Sequence, residues 1–224
     1  MRKTVRQKTR AVISTLFLLL FPVIFYYLSP VVPIQGSMEG IVTGSLIVFA
    51  FLFLFSMVMG RTFCSWVCPG GKIQDLTAQG RTGRVPRNFI HWIKYLVWVP
   101  WLGILFFLFR RAGGFQGISF AYMTEQGFST SSLHALIVYT IVVLTFFGLS
   151  LVFGRRAGCH TICWITPFMI LGRKLGELLS IPSLKLKTDP GTCVSCGRCD
   201  SVCPMSLNVS ELMKDGKITH SDCI

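Results

Sequence analysis

Four long apolar runs constrain this chain more than any other feature: Ala11 to Leu28, Ile41 to Met59, Phe89 to Phe109 and Leu133 to Phe153. A helix needs about 20 apolar residues to cross a bilayer core, and each run approaches that length without a charge at its centre. Pro22 and Pro100 lie inside runs and are expected to kink them. With 52% apolar residues, 14% charged residues and a mean hydropathy of +0.61, the chain lacks the polarity of a water-facing surface. Membrane lipid is therefore its first expected partner. A formal charge of +13 would point to nucleic acid in a soluble protein. Here the bases flank apolar runs, where they meet anionic headgroups, so nucleic acid is not expected as a partner.

The bases also set an orientation. The start carries Arg2, Lys3, Arg6, Lys8 and Arg10 ahead of an apolar run, in the manner of a signal peptide. The run is long enough to span, and Ser29-Pro30-Val31-Val32-Pro33 is no small-residue cleavage site, so it is expected to stay. The second connection has Arg61, Lys72, Arg81, Arg84 and Arg87 against Asp75 alone. The first, Ser29 to Gly40, has no base, and the third has Arg110 and Arg111 at its edge before a Gly/Ser-containing stretch with Glu125. Arg155, Arg156, Arg173, Lys174, Lys185 and Lys187 follow the fourth run. The positive-inside rule then predicts a multi-pass protein of a bacterial cytoplasmic (inner) membrane with both termini in the cytoplasm. Trp92, Trp98 and Trp101 suit interfacial aromatics, and His91 and Lys94, near the start of the third run, are expected to reach the interface.

The second and fourth runs end alike, in Gly60-Arg61-Thr62-Phe63-Cys64-Ser65-Trp66-Val67-Cys68-Pro69 and Gly154-Arg155-Arg156-Ala157-Gly158-Cys159-His160-Thr161-Ile162-Cys163. Each is an apolar run, Gly-Arg, then Cys-x-x-x-Cys. The second copy has one extra residue before its first cysteine and no Pro directly after its second. A two-helix unit repeated twice would bring both cysteine pairs to one membrane rim. Ile165 to Leu179 reads as an amphipathic helix on the inner surface, broken by Ile181-Pro182-Ser183. The expected fold is an all-α membrane protein of four transmembrane helices with a two-fold internal repeat, plus a small C-terminal ferredoxin-like (α+β) iron–sulfur module. Residues 1–180 form the membrane domain and residues 181–224 the cytoplasmic module.

Nine cysteines fall in clusters at metal-ligand spacings, which favours metal over disulfides. The sharpest cluster is Cys193-Val194-Ser195-Cys196-Gly197-Arg198-Cys199-Asp200-Ser201-Val202-Cys203-Pro204, which has the bacterial iron–sulfur spacing. Two-residue gaps turn three thiolates around one cubane, Gly197 eases the tight backbone, and Pro204 directs the chain after the fourth thiolate. A zinc knuckle would pair Cys-x-x-Cys with a distant second pair or with His, which the run does not do. In two-cluster ferredoxins the cysteine before Pro serves the other cluster, and Cys223, in Ser221-Asp222-Cys223-Ile224, looks like the first ligand of a second motif. Two readings stay open. Cys203 and Cys223 belong to a second cluster with ligands beyond residue 224, or one cluster takes Cys193, Cys196 and Cys199 with Cys203 or Cys223.

Cys64 with Cys68 and Cys159 with Cys163 are each four apart, so on a continuing helix each pair shares a face. Pro69 disfavours helix at Cys68 and places the first pair at a helix end. Together they offer four soft thiolates for an iron–sulfur centre or copper, against buried apolar cysteines or reversible dithiols as the plainer readings. His91, His134 and His160 fail as a haem pair, because His91 lies near one rim and His134 near the other.

With four runs, Cys64-x-x-x-Cys68-Pro69, the pair Cys159-x-x-x-Cys163 and the run from Cys193 to Pro204, the chain resembles the NapH-type membrane ferredoxins over nearly its whole length. That family includes relatives in nitrous-oxide reduction and cytochrome-oxidase assembly. The resemblance implies a quinol-oxidising or electron-relaying subunit that passes electrons through cytoplasmic 4Fe–4S clusters to other subunits of a redox complex, such as another iron–sulfur protein or a cytochrome. Members usually carry two complete ferredoxin motifs, whereas this chain shows one and a fragment. Electron transfer between the quinone pool and a redox partner is the leading expectation. Copper reduction or delivery through the two Cys-x-x-x-Cys pairs is the alternative, and a structural membrane anchor is a third. No catalytic base is assignable.

Overall fold

The computed structural model describes residues 4–77, 85, 90–124, 128–129, 132–184, 186–194, 196–213, 217–218, 220 and 222–224. Phe89 and the charges singled out at Arg2, Lys3, Arg81, Arg84, Arg87, Glu125 and Lys185 lie outside these residues. The helices are α1 (Val5–Leu19), α2 (Phe21–Ile24), α3 (Val31–Met38), α4 (Gly44–Met59), α5 (Thr62–Trp66), α6 (Pro69–Thr77), α7 (Ile90–Arg111), α8 (Leu133–Phe153), α9 (Ala157–Thr161), α10 (Ile165–Leu178), α11 (Arg198–Val202) and α12 (Val209–Leu212). Four short strands, β1 (Ile41–Thr43), β2 (Gly117–Ser119), β3 (Leu186–Lys187) and β4 (Lys217–Ile218), make two pairs.

The four-span architecture is overturned. Among the described residues two helices are long and apolar enough to cross a membrane, Trp92–Arg111 and Leu133–Phe153. The first expected span is broken. α1 starts at a capping box on Thr4 and Gln7 and ends at Leu20, where Pro22 sits in the first turn of α2 and a 3-10 turn at Tyr26–Leu28 follows. The second expected span shortens to α4, whose 16 residues reach about 24 Å against a core of about 30 Å. Residues 29–40, expected as a connection, contain α3. α7 is continuous through Pro100.

The expected ferredoxin-like module is corrected too. β3 and β4 pair antiparallel over two residues each, beside the single-turn helices α11 and α12. This is far less than a ferredoxin-like sheet with packed helices. The segment is tied to the helical body instead: Leu184 donates its amide to the Val58 carbonyl, and Asp222 pairs with Arg61 and Lys94.

The core is aromatic, with Phe21, Phe25, Phe49, Trp101 and Phe146 packed around Met169. Edge and stacked ring contacts join Phe49, Trp101 and Phe168. Outward faces of α7 and α8 expose Leu96, Phe106, Ile137 and Leu144, an apolar surface suited to lipid rather than water. At one end of the molecule β1 pairs in parallel with β2, Ile41 opposite Gly117 and Thr43 opposite Ser119. Nearby, Trp101 Nε1 donates to the Pro30 carbonyl at 2.8 Å.

α10 buries a face against α4 instead of lying free on a surface. Gly172 and Gly176 form a small-xxx-small seam along α4. A Cβ at Gly172 would stand 2.3 Å from the Phe53 carbonyl oxygen, and one at Gly176 would stand 2.5 Å from that of Met57. Gly172→Ala should therefore force the backbones apart and cost about 2 kcal/mol, read as a lower thermal midpoint in detergent. An unchanged midpoint would show that the seam is not close-packed.

Candidate functional site

α4 and α8 both end on a glycine of positive φ, Gly60 at 58° and Gly154 at 104°. Positive φ strains residues with a side chain, so each helix stops there and the chain turns sharply. A one-turn helix follows in each half, and the backbone bonds match. Cys64 N–H donates to the Arg61 carbonyl and Cys68 N–H to that of Phe63; Cys159 N–H donates to the Arg156 carbonyl and Cys163 N–H to that of Gly158. The counterpart of Arg61 is thus Arg156. The extra residue is Arg155, which bonds the Ser201 carbonyl instead.

These turns bring the four rim cysteines to one place. Cys64, Cys159 and Cys163 are buried, Cys68 is partly buried, and Cys68, Cys159 and Cys163 line one apolar cavity beside Phe146 and Ile73. Burial pushes the Cys68 thiol well up, reinforced by repulsion from Cys64, Cys163 and Cys159. Burial, then Cys163, pushes the Cys159 thiol up to about 12. Burial also raises Cys64, with Arg61 opposing it.

Two buried arginines cross between the halves. Arg156, 1% exposed, donates Nε and Nη2 to the two oxygens of Asp75, both at 2.7 Å, and Nη1 to the Cys64 carbonyl at 3.0 Å. It belongs to the second half and clamps the first. Arg61, 2% exposed, donates Nη1 to Asp222 at 2.9 Å and Nη2 to the Thr166 hydroxyl at 3.3 Å. That hydroxyl donates in turn to the Cys159 carbonyl. Gln74, fully buried, donates to Cys159 Sγ at 3.2 Å and to the Gly70 carbonyl at 3.0 Å, and accepts the Gly158 amide at 2.8 Å. Lys94 is not at the interface as expected: it is 3% exposed and donates to Asp222 at 3.1 Å. Burial opposes ionisation of Asp222, yet Arg61 and Lys94 outweigh it and hold the carboxyl well below the usual range.

The C-terminal cysteines lie beside this centre. Cys159 forms one apolar cluster with Met205 and Leu207, and Cys203 and Cys223 pack against that cluster. Gly197, with φ of 67°, takes the left-handed conformation and caps the start of α11, which carries Cys199. Cys196 is exposed, whereas Cys193, Cys199 and Cys203 are partly buried. All nine cysteines are free thiols. Among the described residues no three His, Cys, Asp or Glu side chains close around a single metal-ion position. A cubane gives each cysteine a different iron and so holds its thiolates farther apart than one ion does.

Comparison with known proteins decides the cofactor. One family matches the chain twice, over residues 41–88 and 135–182. Both matches are to a 4Fe-4S binding domain. The cofactor is therefore of the 4Fe–4S type, and the two matches accommodate more than one cluster. They cover the rim pairs, not the run from Cys193 to Cys203. The chain is similar to an uncharacterized protein of Methanocaldococcus jannaschii, 27% identical over 76% of this chain and 68% of that one. It is also similar to YccM of Escherichia coli, whose name proposes electron transport, at 20% identity over 85% and 54%. A third relative is the methylamine utilization ferredoxin-type protein MauN of Methylobacillus flagellatus, at 27% identity over 79% and 59%. The chain spans between about half and two thirds of the length of these relatives. No solved structure matches it.

The residues present fit an anionic group of this kind. The donor set is four thiols, and the buried Arg61 guanidinium lies among them and bonds the Cys64 thiol. Sequence reasoning missed Arg61, Gln74, Asp75, Lys94, Arg156, Thr166 and Asp222 as parts of the site. Two carried a signal: Asp75 is the lone acid in a basic connection, and Lys94 is a charge inside an apolar run, which in a membrane protein points to a buried partner.

Proposed function

We propose that this chain is a membrane-attached iron–sulfur electron carrier that relays electrons between a quinone pool and a redox partner. Cys64, Cys68, Cys159 and Cys163 hold one 4Fe–4S cluster. Cys193, Cys196 and Cys199, with Cys203 or Cys223, hold another. Bound there, each cluster supplies one-electron redox chemistry that no side chain of the chain provides. The observation that carries the reading is the apolar cluster of Cys159, Met205 and Leu207, against which Cys203 and Cys223 pack, so that one cluster of side chains takes in a rim cysteine and two C-terminal ones. The ferredoxin-type and electron-transport names of two relatives agree with it. Residues 1–180 attach to the membrane and residues 181–224 face the partner, another iron–sulfur protein or a cytochrome. In this reading α7 and α8 cross a bacterial cytoplasmic membrane with both termini in the cytoplasm, and the absence of Lys and Arg from residues 112–132 between them supports an outer position for that loop.

The test is iron and sulfide counting with low-temperature EPR on anaerobically purified protein. Cys64→Ser with Cys159→Ser, and separately Cys196→Ser with Cys199→Ser, should each remove roughly half of the iron and a distinct signal. Iron content indifferent to both pairs would dispose of the reading. Iron lost only with the second pair would restrict it to a single C-terminal cluster.

A further inference from the structure

We propose that Arg61 and Arg156 are the charge-balancing residues of the rim cluster and raise its reduction potential, while Asp222 limits the effect of Arg61. The inference rests on the reading that the four rim thiolates bind a 4Fe–4S cluster, and it adds what the surrounding protein does to that cluster.

The charge count around the rim is unusual for a buried site. Three buried cations, Arg61, Arg156 and Lys94, face two carboxylates, Asp75 and Asp222, and Arg10 adds a fourth cation at 3.2 Å from Asp75. Among the buried side chains the surplus is one positive charge, and it becomes two only when the partly exposed Arg10 is counted. Four thiolates around an oxidised 4Fe–4S core carry two net negative charges, an anion of the sign that offsets this surplus. Buried surplus charge without a counter-ion is expensive, and the surplus here lies next to the thiols themselves: Cys64, Cys159 and Cys163 all feel Arg61, and Cys159 and Cys64 feel Arg156.

The two arginines are not equivalent. Each nitrogen of Arg156 has a partner, Nε and Nη2 on the two Asp75 oxygens and Nη1 on the Cys64 carbonyl. Arg61 uses both terminal nitrogens on Asp222 and Thr166, and its buried guanidinium also bonds the Cys64 thiol. A buried guanidinium that already meets one of the thiols is placed to donate to an anionic group they hold. Adding one electron makes that group one charge more negative, which a nearby cation favours and a nearby carboxylate opposes. Arg61 thus pulls the potential up, and Asp222, bonded to the same guanidinium, pulls it down. Since Asp222 is the neighbour of Cys223, the C-terminal cysteine is anchored to the residue that tunes the rim.

The test is an EPR-monitored redox titration of the full chain, reduced with dithionite, in which the rim signal is the one that Cys64→Ser with Cys159→Ser removes. Arg61→Gln should lower the rim midpoint so that the reduced-to-oxidised ratio at the wild-type midpoint falls about tenfold, about 59 mV for one electron. Asp222→Asn should shift it upward, and Arg61→Lys, which keeps the charge, should stay near the wild type. A merely structural role would lower iron content or broaden signals without producing shifts of opposite sign. Midpoints that do not move, or that move the same way in Arg61→Gln and Asp222→Asn, overturn the inference while leaving the rim cluster standing. If Cys64→Ser with Cys159→Ser removes no signal, the rim cluster itself fails and the inference falls with it.

Discussion

Asp75→Ala is expected to destabilise the protein by about 3 kcal/mol, a fall of roughly 6–12 °C in thermal midpoint for a chain of this size. Asp75 accepts both forks of Arg156 at 2.7 Å and a bond from Arg10 at 3.2 Å. Remove the carboxylate and Arg156, whose side chain is 2% exposed, keeps one bond, to the Cys64 carbonyl. A guanidinium cannot shed its proton to escape the penalty. Losing one partner of a buried pair therefore costs far more than the pair contributes in net terms. Asp75 is itself 29% exposed, which holds the expectation at the lower end of the range. Arg156 also sits at φ of 52°, in the left-handed region, a conformation its three side-chain bonds help to hold. The damage should reach the rim, since the same guanidinium fixes the turn carrying Cys64. Thermal unfolding of Asp75→Ala beside Asp75→Asn measures this. A midpoint within a degree or two of the wild type in both would show that the pair is solvated in the folded protein.

The cysteines were the most legible part of the site. The spacing from Cys193 to Cys203 pointed to iron and left the rim pairs open between iron–sulfur and copper, while the matched endings of the second and fourth runs pointed to the two pairs meeting, because both signals are local. What the sequence misdirected was length. Apolar character continues from Ala11 to Leu28, but Pro22 divides the segment into separate helical pieces, and hydropathy does not register the break. The same blindness made Ile41 to Met59 look like a span when its first residues are used by β1. The amphipathic stretch from Ile165 was read as lipid-facing, yet its glycines are contact points for α4, a distinction that composition alone does not make. The repeat was aligned on Gly-Arg, which paired Arg61 with Arg155, whereas the backbone bonds pair it with Arg156. An insertion of one residue is invisible until hydrogen bonds fix the register. The Asp222 node, 161 residues from Arg61 in sequence, has no local signature at all.

Gln74→Leu should be the other costly substitution, by about 2–4 kcal/mol, because it orphans groups on both halves of the repeat at once. The side chain is fully buried and makes three contacts: it accepts from the Gly158 amide and donates to the Gly70 carbonyl and to Cys159 Sγ. Leucine matches the volume but none of the bonds, so an amide and a carbonyl are left dry. Gly158 does not relax easily to find another acceptor, since even a Cβ there would stand 2.7 Å from the Phe146 ring. Gln74→Glu separates the roles. It retains an acceptor for Gly158 but brings a negative charge to Cys159 in place of an N–H donor, so it should recover part of the stability while weakening the hold on an anionic cluster. Chemical denaturation with iron counting on the same samples distinguishes them: Gln74→Leu loses midpoint first and iron as a consequence, and Gln74→Glu loses iron at a midpoint closer to the wild type. If both variants kept iron and midpoint together, Gln74 would be a passive filler, and the contact between the halves would rest on the bonds of Arg156 to Asp75, Arg61 to Thr166 and Thr77 to Ser150.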